Sequence, residues 1–230
     1  MLTLGIDTSG KTASCALMDE EKLLAEKTVF TKLTHSQIIL PMAEELLRDC
    51  GLGFDGIDAV VCAAGPGSYT GLRIGIAAVK GIVMGAPHLR CAAVSTLEAL
   101  SCNVSAFQGR IIPVMYARPQ IVYVGEYESR GGLVRPLSED RVTNEQEYFG
   151  ALDVSSPLML TGDRSAEIKK LYFADCENVL TASPADRLQR ASSLCRAFLA
   201  DPARAVPAAE LEASYLQATK AEKDKSHRDM

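Results

Sequence analysis

The feature that most constrains the fold is a nearly continuous apolar segment, residues 57–64, followed directly by the glycine-rich stretch GPGSYTG at residues 65–71. A short apolar run without polar alternation is typical of a buried parallel strand, covered on both faces of its sheet. The chain after it is rich in small and apolar side chains, which predicts a helix over residues 70–84. We therefore expect a parallel strand, loop and helix unit within an α/β fold.

The first half of the chain places further strands and helices around this unit. In chain order, strands are predicted at residues 2–7, 12–18 and 23–30, a helix at 36–49, the strand at 57–64, the helix at 70–84, a strand at 90–94 and a helix at 96–103. The composition of residues 23–30 also permits a helix. Gly51 and Gly53 are expected to end the first helix, and Ser95 to cap the last. This order is that of a ribonuclease-H-like lobe, which we assign to residues 1–108.

The second half of the chain begins in the same way. Strands are predicted at residues 111–116, 120–126, 133–137 and 158–161, with a turn at 117–119 and a last helix at 186–199, whose apolar face includes Leu188, Ala191, Leu194, Cys195 and Phe198. We expect a second, reduced ribonuclease-H-like lobe at residues 109–216. Residues 217–230 are polar and charged, and we expect them to form a flexible tail.

Composition argues against several classes of protein. Of the 230 residues, 47% are hydrophobic, which is enough for a sizeable core, whereas the formal net charge of −5 offers no basic surplus for tight RNA binding by the chain itself. The seven cysteines form no C-x-x-C pair and are interpreted as reduced core residues. No apolar run reaches the roughly 18 residues of a membrane span, and the N-terminus lacks a signal-peptide pattern. We expect a cytoplasmic protein that does not contact a membrane.

Residues 5–12, GIDTSGKT, match the phosphate-binding pattern G-x-x-x-x-G-K-S/T, in which Lys11 would supply charge and Thr12 would bind Mg²⁺. The context argues against a P-loop, because only four residues precede Gly5 and no secure helix follows Thr12. A second interpretation takes Asp7 and the hydroxyl residues after it as the phosphate-facing turn of actin-like ATPases and sugar kinases. An ordinary hairpin turn explains the same residues, and the sequence alone does not separate these two interpretations.

The glycine-rich stretch at residues 65–71 also has two interpretations. Glycines between a strand and a helix let backbone N–H groups approach an anion, but they serve a tight turn equally well, and the spacing is not the dinucleotide pattern. The helix that follows has little side-chain bulk, with small residues at Gly71, Gly75, Ala77, Ala78 and Gly81. We expect one face of this helix to pack on its own sheet and another to face a partner helix.

Catalytic machinery is scarce in the sequence. The histidines, His35, His88 and His227, form no pair at metal-ligand spacing, and no Cys stands near them. The sequence contains no G-x-S-x-G elbow and offers no convincing Ser/His/Asp set. We predict no catalytic residue and no metal site, and we interpret His35 as a helix-cap or interface residue.

Four motifs in the right order resemble the TsaB (YeaZ) family: GIDTS at residues 5–9, THSQ-x-x-LP at 34–41, GPGSYTGLRIG at 65–75 and STLEAL at 95–100. The third of these motifs is highly specific for the family. The resemblance is strong up to residue 100, and it returns briefly as SYL at residues 214–216. It implies two lobes of the actin-like ATPase/sugar-kinase superfamily, with the same architecture as the catalytic subunit TsaD.

The resemblance also implies a role without catalysis. TsaD carries an H-x-x-x-H metal pair, whereas residues 95–99 of this chain hold no histidine, and residues 160–164 are the nearest substitute for the adenosine loop of TsaD. The family's Asp-Ala-Arg stretch is Tyr-Ala-Arg at residues 116–118. The resemblance implies a heterodimer with TsaD through the helices at 36–49 and 70–84, and a homodimer when the chain is alone. With TsaE as a third subunit, the complex transfers threonylcarbamoyl to the adenosine next to the anticodon of tRNA.

The expected contact residues follow from these two helices and from the turns beside them. The predicted partner interface consists of His35, Ser36, Ile39, Leu40, Ala43, Leu47, Arg73, Ile74, Ala77, Ala78 and Gly81. No cofactor is expected to be required, and a nucleotide or phosphate is expected to bind weakly if at all, at Asp7, Thr8, Ser9, Gly65, Gly67 and Ser68. The alternatives are a P-loop or sugar-kinase-like nucleotide-binding enzyme, and a peptidase, a label that this branch of the superfamily has carried.

Overall fold

Five strands from the first 95 residues form one mixed sheet in the order β3-β2-β1-β4-β5. The computed structural model of the protein describes residues 1–216, so the predicted flexible tail at 217–230 lies outside the described residues. The strands are β1 (Thr3–Asp7), β2 (Thr12–Met18), β3 (Leu23–Phe30), β4 (Ala59–Gly65) and β5 (Arg90–Ser95). Strands β1 to β3 are antiparallel neighbours, whereas β4 runs parallel to both β1 and β5. The predicted order of elements is confirmed, and residues 23–30 form a strand and not a helix.

Three helices complete the first lobe, namely α1 (His35–Asp49), α2 (Tyr69–Gly85) and α3 (Thr96–Cys102). They agree with the predicted helices to within one residue at each end. Gly51 follows α1 with a φ of +71°, a left-handed conformation that only glycine adopts without cost. Ser95 caps α3, because its hydroxyl accepts hydrogen bonds from the N–H groups of Leu97 and Glu98.

Strand β4 is apolar throughout because both of its faces are covered. Its alternate side chains enter two separate cores, as the period of two along a strand requires. Val60 and Cys62 pack with α1 and α2 on one face of the sheet. Ala59, Val61 and Ala63 pack on the other face with a helix from the end of the described chain. The predicted buried parallel strand is confirmed.

The second sheet has the order β10-β7-β6-β11-β12, with a hairpin of β8 and β9 attached to β6. Its strands are β6 (Gly109–Arg118), β7 (Ile121–Val124), β8 (Tyr127–Arg130), β9 (Leu133–Pro136), β10 (Arg141–Asn144), β11 (Leu158–Thr161) and β12 (Val179–Thr181). The helices α4 (Glu145–Gly150) and α5 (Ser165–Tyr172) belong to the same half of the chain. The strand predicted at residues 111–116 is confirmed as part of the longer β6. The strand predicted at residues 158–161 is confirmed as β11, with identical bounds.

Two details of the second sheet differ from the prediction. The strand predicted at residues 133–137 exists, but it pairs with β8, and the edge strand beside β7 is β10. The Gly131-Gly132 pair explains this, because both residues have positive φ and close a two-residue hairpin whose first strand was not predicted. The turn predicted at 117–119 is also displaced, since β6 continues to Arg118 and the chain reverses at Gln120.

The last helix, α6 (Ala191–Ala200), begins five residues later than the predicted start at residue 186, and Leu188 therefore precedes the helix. Glu26 of β3 sets this start, because its carboxylate accepts hydrogen bonds from the N–H and the hydroxyl of Ser192 in the first turn. The helix contacts β1, β2, β3, β4 and β5, which all belong to the first sheet. The division into lobes at residues 1–108 and 109–216 stays a prediction. Helix α6 falls within the predicted second lobe by sequence, but it packs on the sheet of the first lobe.

Within residues 1–216, the structure contains no helix that is both long enough and apolar enough to cross a membrane.

Candidate partner-docking surface

The glycine-rich loop between β4 and α2 packs tightly on the turn that follows β1. A Cβ atom at Gly71 would lie 2.0 Å from the carbonyl oxygen of Thr8, and one at Gly67 would lie 2.5 Å from the carbonyl oxygen of Ser9. A Cβ atom at Gly75, one helical turn further, would lie 2.6 Å from Oγ1 of Thr8. These three glycines are therefore required for close packing inside the chain, as the tight-turn interpretation predicted.

Hydrogen bonds fix the same two segments together. The N–H of Ser68 donates to the carbonyl oxygen of Ser9 at 2.7 Å, and the Thr8 hydroxyl donates to the carbonyl oxygen of Gly71 at 2.7 Å. The Ser68 hydroxyl caps α2 by accepting from the N–H of Gly71 at 3.2 Å. At least part of the hydrogen-bonding capacity at the start of α2 is therefore used by the chain itself.

Asp7 lies at the end of β1 and is fully buried. Its Oδ1 accepts hydrogen bonds from the N–H of Ser9 at 2.9 Å and from the Ser9 hydroxyl at 2.6 Å, whereas its Oδ2 has no partner within residues 1–216. Burial raises the pKa of the Asp7 carboxyl, and the Ser9 hydrogen bonds and the nearby His35 oppose this shift only in part. The structure thus brings the predicted nucleotide-binding residues together, but in packed surroundings where Asp7, Thr8 and Ser9 are each at most 2% exposed.

The P-loop alternative is wrong. Thr12 begins the antiparallel strand β2, whereas a P-loop requires a helix after this residue. The first glycine of the pattern, Gly5, lies inside β1, where a Cβ atom would be 2.4 Å from the carbonyl oxygen of Ala191 in α6. At Gly10, a Cβ atom would be 2.4 Å from Oε1 of the buried Gln189 side chain. Both glycines serve close packing.

The outer faces of α1 and α2 form an open groove of about 580 Å³. We call this groove the docking surface, and its lining includes Leu40, Glu44, Phe54, Asp55, Ala77, Gly81 and Gly85. A Cβ atom placed on Gly81 or on Gly85 would meet no atom within 4 Å among the described residues. The small residues of α2 therefore divide into two groups. The glycines at the start of the helix face their own chain, whereas the later ones face open space.

The predicted interface residues divide in the same way, and three of them are corrected. Ile39, Ala43 and Leu47 on α1 are buried in the core of the first lobe, because the helical period turns these positions toward the sheet. Their side chains are not available to a partner, whereas Ala78 on α2 is only 7% exposed but lines the groove. The residues of the predicted set that are exposed are Ser36, Leu40, Arg73, Ala77 and Gly81.

His35 and Ile74 are only half-buried, and each has contacts inside the chain. Nδ1 of His35 lies 3.2 Å from the carbonyl oxygen of Thr8, and Ile74 packs against the core. The sequence analysis missed two exposed apolar residues of α2, Tyr69 and Met84, of which Met84 is 81% exposed. Assigning a helical face to every position of α2 would have found Met84, because it follows Ala77 and Gly81 at spacings of seven and three.

The candidate loop of the second lobe, residues 160–164, is also closely packed. Gly162 has a φ of +96°, and a Cβ atom there would lie 2.1 Å from the carbonyl oxygen of Val114. Asp163 accepts a hydrogen bond from the N–H of Tyr116, and burial raises the pKa of its carboxyl. Among residues 1–216, no group of three or more His, Cys, Asp or Glu side chains is arranged to hold a metal ion.

Comparisons with known proteins agree with the fold and with the motifs. Residues 29–221 match the family described as TsaD, tRNA N6-adenosine threonylcarbamoyltransferase. The tRNA threonylcarbamoyladenosine biosynthesis protein TsaB of Bacillus subtilis is 32% identical over 228 residues, which is 96% of each chain. The protein of the same name from Escherichia coli is 35% identical over 130 residues, covering 56% of this chain and 55% of the relative.

A solved structure extends the comparison to three dimensions. YeaZ from Pseudomonas aeruginosa is 26% identical and superposes with a TM-score of 0.80, covering 94% of this chain and 99% of that chain. Two lobes built on mixed sheets, each opening with antiparallel strands, are common to the actin-like ATPase and sugar-kinase superfamily, and this chain has that fold. The sequence identity over nearly the whole chain and this superposition show that the chain belongs to the TsaB (YeaZ) family.

Proposed function

We propose that this chain is the non-catalytic partner of TsaD in the complex that transfers threonylcarbamoyl to the adenosine next to the anticodon of tRNA. The names of its relatives support a role in threonylcarbamoyladenosine biosynthesis. In this proposal the docking surface binds TsaD, TsaE joins the assembly as a further subunit, and tRNA is bound through the complex. The isolated chain uses the same surface to form a homodimer.

The observation that carries the proposal is the open position of Gly81. A glycine inside a helix destabilises the helix by about 0.8–1 kcal/mol relative to alanine. At Gly71 and Gly75 this cost has a reason inside the chain, because Thr8 leaves no room for a Cβ atom. At Gly81 no such reason exists among the described residues, and the φ angle is not one that requires glycine. A partner backbone that approaches α2 closely accounts for a glycine at this position.

The chemistry of the docking surface suits a protein partner. Leu40 of α1 is 39% exposed and lies beside Phe54 and Ala77, so the floor of the groove is mainly apolar. Glu44 and Asp55 line the same groove and place carboxylates there. An apolar centre with polar neighbours is typical of stable protein interfaces, which bury about 800 Å² on each partner.

The proposal of a non-catalytic subunit rests on the turn after β1. In the superfamily this turn faces phosphate or metal, but here Asp7, Thr8 and Ser9 are enclosed by the start of α2. We propose that the chain uses this turn to position α2, that no cofactor is required for docking, and that a nucleotide adds at most weak binding.

The test is co-purification with the TsaD of the same organism, using matched pairs of variants. Ala77→Arg and Gly81→Leu place bulk in the groove, and we expect both to abolish co-purification. The controls Ala200→Arg on α6 and Gly150→Leu at the end of α4 place the same side chains at other exposed positions. Gly150 matches Gly81, because a Cβ atom there would also meet no atom within 4 Å among the described residues. We expect these controls to bind like the unmodified chain.

Two results would contradict the proposal. One is unchanged association of Ala77→Arg and Gly81→Leu with TsaD while their circular dichroism spectra remain native. The other is robust threonylcarbamoyl transfer to tRNA by the purified chain without TsaD.

A further inference from the structure

The end of the described chain packs against α2 as a short segment, residues 211–216, which we call the C-terminal strap. Leu211 is buried in the core of the first lobe, at 1% exposure. The N–H of Ser214 donates to the carbonyl oxygen of Ala64 at 2.8 Å. A Cβ atom at Gly65 would lie 2.6 Å from the carbonyl oxygen of Ser214, and Gly65 has a φ of +118°. The strap is therefore fitted to the start of the glycine-rich loop and forms part of the folded surface.

The strap places Tyr215 in a cluster with two residues of α2. The rings of Tyr215 and Tyr69 lie with their centroids 5.0 Å apart. The guanidinium carbon of Arg73 lies 4.0 Å from the centroid of the Tyr69 ring, and Nε of Arg73 donates to the Tyr215 hydroxyl at 3.1 Å. Two contacts from different segments thus restrict a side chain that is otherwise flexible.

Arg73 is exposed, and no carboxylate of residues 1–216 forms an ion pair with it. The guanidinium is charged at any physiological pH, and its hydrogen bond to Tyr215 raises its pKa further. The bond uses Nε only, which leaves the two terminal nitrogens of the guanidinium without a partner in the described chain. An arginine restricted in this way loses little conformational entropy when it binds a carboxylate through both terminal nitrogens.

The surroundings of Arg73 connect it to the docking surface. A second groove, of about 320 Å³, lies between α2 and the strap and is lined by Arg73, Ile76, Ala77, Lys80, Glu212, Ala213 and Tyr215. Ala77 lines this groove and the docking surface alike, so the two are adjacent on α2. The chain has a formal net charge of −5, which disfavours a phosphate backbone as the ligand of Arg73, because nucleic acids bind to surfaces with a surplus of positive charge.

We propose that the C-terminal strap completes the docking surface, and that Tyr215 is a positioning residue that holds Arg73 for pairing with an Asp or Glu side chain of the docked subunit. This inference rests on the proposed function, because it requires a partner on α2. Arginine and tyrosine are enriched among the residues that dominate the energy of protein interfaces. The SYL sequence at residues 214–216 therefore contributes to the same interface as α2, although it is distant from α2 in the chain.

The experiment is isothermal titration calorimetry of the full chain with the TsaD of the same organism, at several salt concentrations. We expect Arg73→Gln to weaken binding by about tenfold to a hundredfold and to reduce its dependence on salt, since one charged pair is lost. Tyr215→Phe keeps the ring but removes the hydroxyl, and we expect it to weaken binding by about threefold to tenfold without a change in melting temperature. Arg73→Lys keeps the charge, and we expect it not to restore binding.

The control is Lys170→Gln, which removes an exposed charge from α5, outside both grooves, and we expect it to bind within about twofold of the unmodified chain. Normal binding by both Arg73→Gln and Tyr215→Phe would overturn the inference and leave the proposed function intact. An equal loss in Lys170→Gln would also overturn it, since only general charge would then matter. A loss of tRNA binding with unchanged binding of TsaD would identify RNA as the ligand of Arg73, against the proposal. If the unmodified chain does not bind TsaD, the proposed function itself is wrong.

Discussion

The substitution Gly81→Ala separates the stability of the chain from its association with a partner. In the isolated chain the new methyl group meets no atom within 4 Å of its position, so it introduces no clash. Alanine favours the helix over glycine by about 0.8–1 kcal/mol. For a chain of this size such a gain corresponds to a rise in melting temperature of about 2–4 °C. We therefore expect Gly81→Ala to be more stable than the unmodified protein.

The same substitution is expected to weaken the complex. Where a partner backbone lies against Gly81, an added methyl group overpacks the contact, which costs about 1–3 kcal/mol in well-packed surroundings. Binding to TsaD should therefore fall by about fivefold to a hundredfold. The assay combines thermal unfolding of the chain alone with calorimetric titration of TsaD.

Gly71→Ala is the contrasting control for this pair of measurements. Its Cβ atom would lie 2.0 Å from the carbonyl oxygen of Thr8, so we expect the isolated chain itself to lose about 3 kcal/mol or more. Our reasoning would be refuted if Gly81→Ala destabilised the chain alone, or if it bound TsaD as tightly as the unmodified protein did.

Three further predictions concern the fold. Glu26→Gln removes the charge that holds the N-terminus of α6, and we expect it to lower the free energy of unfolding by about 1–3 kcal/mol in denaturant titration; no loss would contradict the assigned cap. Burial raises the pKa of Asp7, so its ionisation opposes folding increasingly as pH rises above the ordinary range near 3.8. The stability of Asp7→Asn relative to the unmodified chain should therefore be greater at pH 8 than at pH 4, and an equal or reversed difference would count against this. Burial raises the pKa of Cys15 to about 12. We expect Cys50 and Cys176, which are only partly buried, to be alkylated first in the native protein at pH 8, as mass spectrometry can determine.

Much of the first lobe was predictable because its signals are local. Strand β4 is apolar at successive positions, α1 has apolar residues at helical spacing, and Ser95 precedes its helix as a cap. These patterns depend on neighbours within a few residues, so they can be recognised without knowledge of the tertiary structure.

One error concerns a feature that depends on a distant part of the chain. The start of α6 is set by Glu26, which lies 166 residues before Ser192, and no local pattern records this contact. The hairpin of β8 and β9 was missed although its signal is local, because a Gly-Gly pair favours the positive φ angles of a two-residue hairpin turn.

The docking surface was predictable in part. The helices of the proposed docking surface were chosen from the resemblance to a family, but Ile39, Ala43 and Leu47 belong to the buried face of α1. Helical periodicity was sufficient to assign this face, and it was not applied position by position. Helical periodicity also places Gly71 and Gly81 on different faces of α2. It does not show why Gly71 must be a glycine, because the close approach of Thr8 is a tertiary contact.

The most direct test of docking through the outer faces of α1 and α2 is photo-crosslinking in living cells. A photoreactive phenylalanine analogue is placed at Ala77 in the groove and, separately, at the exposed Ala200 of α6. We predict that position 77 forms a covalent adduct with TsaD and that position 200 does not. An adduct with TsaD at position 200 and none at position 77 would contradict the account.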